Sequence, residues 1–357
     1  MKLIIYGAQG YALGAYEAIK LLYPEYEMDF FMVTNLEGNS ESLGGLPVRT
    51  IYEVSSKLGI DDKKKTKVLI CTPVNVQDEI EKTLYSNGFE NIDRLDSAKW
   101  ASLMRGFHAE YGIFKNLSDM SAGDRMPQVF VYCARSHKDR ALRENIKFAD
   151  NIHYIQVGTD NTDIRIGEYF DNEGDNISHK NPNYSELTAL YWIWKNKLFE
   201  NKDGYYGLFQ YRRILELGKE DFLRLCANDV DAVLPYPMPY EPSIHAHHER
   251  YLSQTDFEAL RKAVETVSPD YLNDFDRILK GRYLYNYNII LAKNSVLRDY
   301  CSWLFHILER VESLSEPKGW ERADRYLGYM AETLETIYFI RNKDKLNIAH
   351  TGCKMLM

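Results

Sequence analysis

The sequence has no run of the roughly 18 consecutive apolar residues that a membrane-spanning helix needs. Its amino terminus passes from a short apolar run into glycines and lacks the cleavage site of a secretory signal. Cysteine is scarce: the five cysteines are dispersed and form no Cys-x-x-Cys pair. This distribution argues against a disulfide framework and against a structural zinc site. We therefore expect a cytoplasmic protein.

The chain has fewer basic than acidic residues: 44 lysines and arginines against 52 aspartates and glutamates, which gives a formal net charge of −8. This balance gives no support to a nucleic-acid partner, which is normally met by a basic face. It remains compatible with a local basic site for a phosphate-bearing ligand. Tyrosine, by contrast, is abundant, with 27 copies. Its amphipathic ring suits sugar-binding clefts and equally suits half-buried packing.

A chain of 357 residues is too long for one ordinary core, and the pattern along it predicts two α/β domains. In residues 1–123, strands alternate with helices, which predicts a Rossmann-like parallel sheet. Gly7, Gly10 and Gly14 follow its first strand, but their spacing departs from the dinucleotide fingerprint. We expect a degenerate or regulatory module with at most a weak cofactor site at these glycines. A second domain follows over residues 128–357.

Residues 175–196 combine a polar cluster with a helical pattern. The spacing predicts a helix over residues 184–194, with Glu186 in the first turn, where the helix dipole favours an anion. Polar groups crowd in front of this helix, and burying them unpaired is costly, so they line either a solvated loop or a ligand pocket. The candidate binding residues here are Asn176, His179, Lys180, Asn181 and Tyr184.

Residues 205–215 predict a strand that closes in two arginines, Arg212 and Arg213. Open α/β sheets bind ligands at the carboxyl edge of their strands, which is where this pair would lie. The planar guanidinium group matches phosphate geometry and keeps its charge. The alternative is a surface pair that bridges to nearby carboxylates.

Two further segments carry candidate sugar-binding groups. A His-x-His-His motif that includes His245 and His248 lies on a proline-rich loop and lacks a companion spacing of known metal type. We expect these histidines to hydrogen-bond a sugar or a phosphate, or simply to be exposed. Residues 283–293 predict a strand on which Asn286 and Asn288 share one face and tyrosines the other.

Taken together, these segments resemble a known family. Residues 174–196, 205–213 and 285–293 carry the longest matching phrases, GDNISHKNPNYSELTALYWIWKN, YYGLFQYRR and YNYNIILAK. They resemble the DUF4422 family, which is grouped with bacterial galactofuranosyltransferases of capsular and exopolysaccharide synthesis. The resemblance implies that residues 128–357 form a glycosyltransferase domain similar to the GT-A class.

The resemblance also implies a donor site. It places Asn176, Asn181, Glu186, Arg212 and Arg213 in or beside that site. The family pattern usually has histidine where this chain has Gln210, which keeps hydrogen bonding but loses a titratable ring.

The implied reaction is transfer of galactofuranose, with inversion, from UDP-galactofuranose to a lipid-linked or oligosaccharide acceptor of a surface polysaccharide. A carboxylate must take the acceptor proton. The candidates, which the sequence does not rank, are Glu186, Asp231, Glu249 and Asp324. Two arginines can neutralise the leaving diphosphate, so we expect no required cofactor. The alternative is Mn²⁺ or Mg²⁺ held at Asp229 and Asp231.

Two other functions stay open at this stage. A nucleotide-dependent oxidoreductase or epimerase would use the amino-terminal glycine turn. A non-catalytic scaffold of a polysaccharide-synthesis assembly would use both domains only to bind partners. A lipid-linked acceptor would also bring the protein into peripheral contact with the inner face of the cell membrane.

Overall fold

The computed structural model describes residues 1–142, 151–199 and 203–356. The chain forms two compact units. The first comprises Met1–Phe114 with Met238–Glu241, and the second comprises Lys115–Pro237 with Pro242–Met357. Both are built on sheets with parallel strands, which confirms the α/β fold class.

The first unit contains a six-stranded sheet in the described part of the chain, with the order β3-β4-β2-β1-β5-β6. All neighbours are parallel except β3 and β4. Its strands are β1 (Leu3–Tyr6), β2 (Phe31–Val33), β3 (Ser42–Leu43), β4 (Leu46–Thr50), β5 (Lys67–Ile70) and β6 (Ile92–Arg94). Its helices are α1 (Gly10–Leu22), α2 (Ile51–Lys57), α3 (Ile60–Lys65), α4 (Val74–Ser86) and α5 (Ser97–Tyr111).

The glycine turn after β1 is explained by close packing within this unit. Gly7 has φ +127°, and a Cβ there would lie 2.7 Å from the carbonyl oxygen of Cys71. A Cβ on Gly10 would lie 2.5 Å from the Met238 side chain, and one on Gly14 would lie 2.4 Å from the ring of Trp100. Protein atoms therefore fill the space that the missing side chains leave, and this packing requires the glycines without any bound nucleotide.

The second unit contains a nine-stranded sheet among the residues that the structure describes. Its main path is β16-β12-β15-β10-β7-β8-β9, and β11 pairs with both β10 and β17. The strands of this sheet are β7 (Val129–Arg135), β8 (Ile152–Gln156), β9 (Tyr169–Phe170), β10 (Tyr205–Gln210), β11 (Arg213–Leu215), β12 (Ala232–Pro235), β15 (Ile290–Lys293), β16 (Ile348–Thr351) and β17 (Cys353–Met355). The strand β14 (Tyr283–Leu284) belongs to the same unit but lies outside this sheet. The remaining strand, β13 (Met238–Pro239), belongs to the first unit.

Helices pack around this sheet. They are α6 (Asn181–Tyr184), α7 (Leu187–Asn196), α8 (Lys219–Ala227), α9 (Ile244–His248), α10 (Gln254–Val267), α11 (Leu272–Leu279), α12 (Asn294–Leu314) and α13 (Tyr326–Arg341). The long helix α12 contacts β10 and β15 as well as α7, α10 and α13. Of the helices in the described ranges, none is long and apolar enough to cross a membrane.

The direction of three central strands positions the site. β10, β7 and β8 are neighbours and run parallel, with Leu208 opposite Tyr132 and Ala134 opposite Ile155. Their carboxyl ends therefore meet at one edge of the sheet, and the loops that follow them converge there. These loops begin at residues 136, 157 and 211.

Candidate functional site

A cavity of about 580 Å³ opens at this carboxyl edge. The loops after β7, β8 and β10 contribute residues 136–139, 157–158 and 211–213 to its wall. The junction of α6 and α7 and the residues just before α13 complete it. Five of the residues singled out from the sequence line this cavity: Asn181, Glu186, Gln210, Arg212 and Arg213.

The cavity is basic although the chain is acidic. Its lining includes four basic side chains, Lys138, Arg212, Arg213 and Arg325, and two acidic ones, Asp139 and Glu186. Four positive charges less two negative charges leave a formal charge of +2, against −8 for the whole chain. A concave site with this sign attracts an anionic ligand.

The paired arginines at the end of β10 are held differently. Arg213 Nη1 donates to Gln210 Oε1 at 3.2 Å, and its guanidinium carbon lies 4.1 Å from the centroid of the Tyr287 ring. Arg212 is half-buried, and its Nε has no hydrogen-bond partner among the residues that the structure describes. Arg213 is thus held by Gln210 and Tyr287, whereas the guanidinium carbon of Arg212 lies 5.2 Å from the centroid of the neighbouring Tyr211 ring.

The carboxylate of Asp139 belongs to the cavity, and the sequence reasoning missed it. Its Oδ2 accepts a 2.7 Å hydrogen bond from the Ser136 amide. Burial raises the pKa of this carboxyl, while the Ser136 hydrogen bond and the charges of Arg135, Arg212 and Arg325 oppose that shift. The signal available was the polar run that follows the strand over residues 129–135, at the same edge as the arginines.

Glu186 forms the opposite part of the wall. Its side chain is mostly buried, and its Oε1 accepts a 2.8 Å hydrogen bond from Asn288 Nδ2. The residue occupies the N-cap position of α7. The helix predicted over residues 184–194 is interrupted: α6 ends at Tyr184, and α7 begins at Leu187. Pro182 lies in the first turn of α6.

The interruption is a strained residue, Ser185, with φ +50° and ψ −130°. A side chain other than glycine adopts this conformation only when its surroundings hold it there, at a cost of about 1–3 kcal/mol. Asn181 provides the restraint, because its carbonyl accepts from the Ser185 amide and its Nδ2 donates to the Ser185 carbonyl, both at 2.8 Å. This backbone conformation sets the position of the next residue, Glu186, in the cavity wall.

A second restraint, also missed from the sequence, is the buried carboxylate of Asp171. It accepts hydrogen bonds from the amides of Gly158 and Thr159, at 2.7 and 3.0 Å. It also accepts from the hydroxyls of Thr159, Ser178 and Thr188, at 2.7, 2.5 and 2.6 Å. One carboxylate thus ties the loop after β8 to the start of α7.

The prediction of one strand over residues 283–293 is wrong for the middle of this segment. Only Tyr283–Leu284 and Ile290–Lys293 are extended, and Tyr287 and Asn288 between them have φ +79° and +51°. The two residues lie in a turn that contacts two residues of the cavity wall, Gln210 and Glu186. Glu332 Oε1 accepts from the Tyr287 amide at 2.9 Å, and Gln210 Nε2 donates to the Tyr287 carbonyl at 2.7 Å. Asn286 is buried beside this turn and does not share a strand face with Asn288.

Four of the candidate binding residues in the polar cluster lie outside the cavity. Asn176 donates to the carbonyls of Asn172 and Gly174 within its own loop. His179 is exposed. Lys180 pairs with Glu312 at 2.6 Å, and the buried Tyr184 directs its hydroxyl toward the same carboxylate at 3.4 Å. These four residues serve local structure, and Asn181 alone of the named set reaches the cavity wall.

Three of the four candidate bases also lie elsewhere. Asp231 precedes β12, which runs parallel to β10, so it lies at the opposite edge of the sheet. There Asp229 and Asp231 both pair with Lys293, at 2.6 and 2.8 Å. Glu249 is exposed, 3.6 Å from His245. Asp324 binds Arg322.

The histidines expected on a proline-rich loop lie instead in helix α9, and they are likewise engaged in packing. The His245 ring centroid lies 4.2 Å from that of Phe257. His248 is buried, with Nδ1 2.8 Å from Thr333 Oγ1. Within the described ranges, no group of three or more His, Cys, Asp or Glu side chains is arranged to hold a metal ion.

The chain is similar to WbbM, described as a bifunctional glycosyltransferase in its apo form, with 28% identity and a TM-score of 0.54. The match covers 64% of this chain and 45% of WbbM, so the chain spans less than half of that protein. The mannosyltransferase Ktr4p from S. cerevisiae matches over 73% of this chain and 82% of its own, at 12% identity and a TM-score of 0.27, too low to carry an argument. No curated protein matches the sequence significantly. A family model described as DUF4422, a domain of unknown function, matches residues 131–343. This range is more than half of the chain and includes every residue of the cavity wall. The chain therefore belongs to the DUF4422 family.

Proposed function

We propose that this protein is a glycosyltransferase that moves a sugar, galactofuranose, from its UDP-activated form to an acceptor of surface-polysaccharide synthesis, with inversion. The observation that carries the proposal is the basic cavity at the carboxyl edge of β7, β8 and β10, which is lined by three arginines and two carboxylates. The family and the similarity to a bifunctional glycosyltransferase support the reaction class. The choice of donor sugar rests on the sequence resemblance.

The arginines supply the charge that a leaving diphosphate requires. Arg212, Arg213 and Arg325 line one cavity and keep their charge at any physiological pH. Fixed donors in a partly desolvated site stabilise charge that develops on a leaving group without reorganising. The aspartates considered as the alternative metal site do not fit this task, since Asp229 and Asp231 both bind Lys293 at the opposite sheet edge. We therefore propose that transfer needs no metal ion.

Glu186 is the general base of the proposed reaction. An acceptor hydroxyl oxygen forms a bond to the anomeric carbon, the bond from that carbon to the β-phosphate oxygen breaks, and its electron pair leaves with UDP. The acceptor proton passes to Glu186, which is mostly buried and is oriented by Asn288. Asp139 lies on the donor side, because its neighbours include Arg212 and Arg325. There it accepts from hydroxyl groups of the donor.

Calorimetric titration with UDP tests the donor site. Arg212→Ala should weaken UDP binding about 10- to 100-fold, because it removes a charge-assisted contact. Arg277→Ala is the matched control, since Arg277 is an exposed helical arginine paired with Asp274. Titrations in EDTA and in Mn²⁺ should agree. Binding that requires Mn²⁺ contradicts the metal-free reaction, and binding of NAD without UDP contradicts the proposal as a whole.

Two isosteric variants test the assignment of the carboxylates. Glu186→Gln should lower kcat by at least about 100-fold while leaving the UDP affinity unchanged, because an amide cannot take the acceptor proton. Asp139→Asn should change the affinity for the UDP-sugar more than kcat. The opposite pattern, with Asp139→Asn inactive and Glu186→Gln active, would reassign the base.

A lipid-linked acceptor is part of this proposal, and with it peripheral contact with the inner face of the cell membrane. Cosedimentation of the protein with anionic vesicles, with and without the acceptor lipid, tests this contact.

A further inference from the structure

A pair of stacked tyrosines lies beside the cavity and has no part in the donor site. The rings of Tyr251 and Tyr329 are stacked, with centroids 4.5 Å apart and planes 15° from parallel. Tyr329 is half-buried, whereas Tyr251 is 47% exposed. The ring of His247 meets Tyr251 edge-on, with centroids 5.8 Å apart. Tyr251 is therefore the ring of this pair that a ligand can reach.

Helix α13 fixes the distance between this stack and the cavity. Arg325, which lines the cavity, precedes α13, and the Tyr329 amide donates to the Arg325 carbonyl at 3.4 Å. Arg325 is the N-cap residue of α13, with φ +64°, and its charge acts on the Tyr329 hydroxyl, so the two residues are near one another. The platform is thus adjacent to the cavity wall.

The same helix ties the stack to the proposed base. Between Arg325 and Tyr329, the Gly328 carbonyl accepts from Asn288 Nδ2 at 3.2 Å, the same amide that holds Glu186. A Cβ on Gly328 would lie 3.7 Å from the Ser185 side chain, so helix and wall are in close contact. Burial raises the pKa of the Tyr329 hydroxyl. The charge of Arg325 opposes this rise, and the charge of Glu186 adds to it, so the hydroxyl lies within electrostatic reach of Arg325 and of Glu186.

We propose that Tyr251 and Tyr329 form the binding platform for the terminal sugar ring of the acceptor. This inference rests on the proposed function and adds the acceptor side to it. The C–H bonds on one face of a sugar ring carry partial positive charge and pack against the negative face of an aromatic ring. A sugar seated there has its rim hydroxyls beside Arg325 and Glu186, so one of them faces the base. The ring is recognised whether it is part of a free glycan or of a lipid-linked one.

Binding of two simple glycosides to the full-length, UDP-saturated protein tests the platform. The probes are methyl and octyl β-D-galactopyranoside, chosen because galactose exposes several C–H bonds on one face, and their affinities are measured by ligand-observed NMR. Tyr251→Ala should weaken both glycosides by at least about fivefold. Tyr251→Phe should keep most of the affinity, because the ring remains. Tyr85→Ala, which removes a tyrosine that is 54% exposed on α4, is the matched control.

The outcomes separate the platform from the donor site. The platform is overturned if UDP binds normally but Tyr251→Ala leaves the glycoside affinity unchanged. It is also overturned if UDP binds normally but the wild-type protein binds neither glycoside. Both results leave the proposed function standing. A loss confined to the octyl glycoside means that the tyrosines bind the alkyl chain, and it overturns sugar recognition. Failure of the wild-type protein to bind UDP overturns the proposed function and the platform together.

Discussion

We predict that Glu335 makes the stability of the protein depend on pH, and the size of the effect follows from the surroundings of this residue. The residue lies on α13, is fully buried, and has no hydrogen-bond partner for either carboxyl oxygen among the described residues. Burial raises its pKa well above the usual range, and the nearby charges of Glu332 and Glu186 raise it further. The folded protein therefore holds a proton on Glu335 at pH values where the unfolded chain has released it.

This difference in bound protons sets the sign and size of the effect. An unperturbed glutamate ionises near pH 4.5. Above that pH the unfolded state binds fewer protons than the folded state, so stability falls as pH rises, by about 1.4 kcal/mol per pH unit for one proton. The contribution is fully present below the unfolded pKa and is lost as pH rises through the folded pKa. Glu335→Gln has the same shape and cannot ionise, so its advantage over wild type should grow with pH, by up to about 1.4 kcal/mol per pH unit, until the pH passes the folded pKa of Glu335.

Urea denaturation followed by tryptophan fluorescence measures this difference. In a Trp100→Phe background, the other four of the five tryptophans all lie in the second unit, so the signal reports its unfolding. Glu309→Gln, which removes an exposed glutamate on α12, controls for the change in composition. A free-energy difference between Glu335→Gln and wild type that stays the same at every pH would refute the reasoning.

Two further predictions concern the loop after β8, and both are checked by the same urea assay and by UDP titration. Gly158→Ala should cost about 1–2 kcal/mol, because φ is +66° and a Cβ would lie 2.6 Å from Asn181 Oδ1. Unchanged stability would mean that the loop relaxes freely. Asp171→Asn should cost about 3 kcal/mol and weaken UDP binding, because an amide group would turn a donor toward the groups that now donate to the carboxylate. A stable variant with normal UDP affinity would contradict the role of Asp171 in shaping the cavity.

Parts of the structure that depend on neighbouring residues could be predicted from the sequence. The apolar run over residues 205–210 is the strand β10, and its two arginines follow at the carboxyl edge because the strand ends there. The alternation of strands and helices gave the α/β class, since a parallel sheet requires crossovers. The apolar spacing over residues 296–311 lies within α12, whose buried stripe faces the sheet and three helices.

The rest depends on contacts that are distant in sequence. Asp231 was one of the candidate bases, but it precedes its strand instead of following it, and Lys293 pairs with it. The regular alternation of asparagines and tyrosines hides the turn at Tyr287, because the restraints on that turn come from Gln210 and Glu332. Asp171 went unnoticed for the same reason, since its partners are spread over the loop after β8, the segment before α6 and the start of α7.

The turn at Tyr287 and Asn288 has a consequence for how this protein could be redesigned. Tyr287 carries the ring under Arg213, and Asn288 carries the amide that binds Glu186, so the proposed leaving-group side and the proposed base are held by one turn. A substitution in this turn would therefore disturb both. Tyr251 has no contact with this turn among those described, and under the proposed function it is the position at which acceptor preference can be altered while the donor site is left intact.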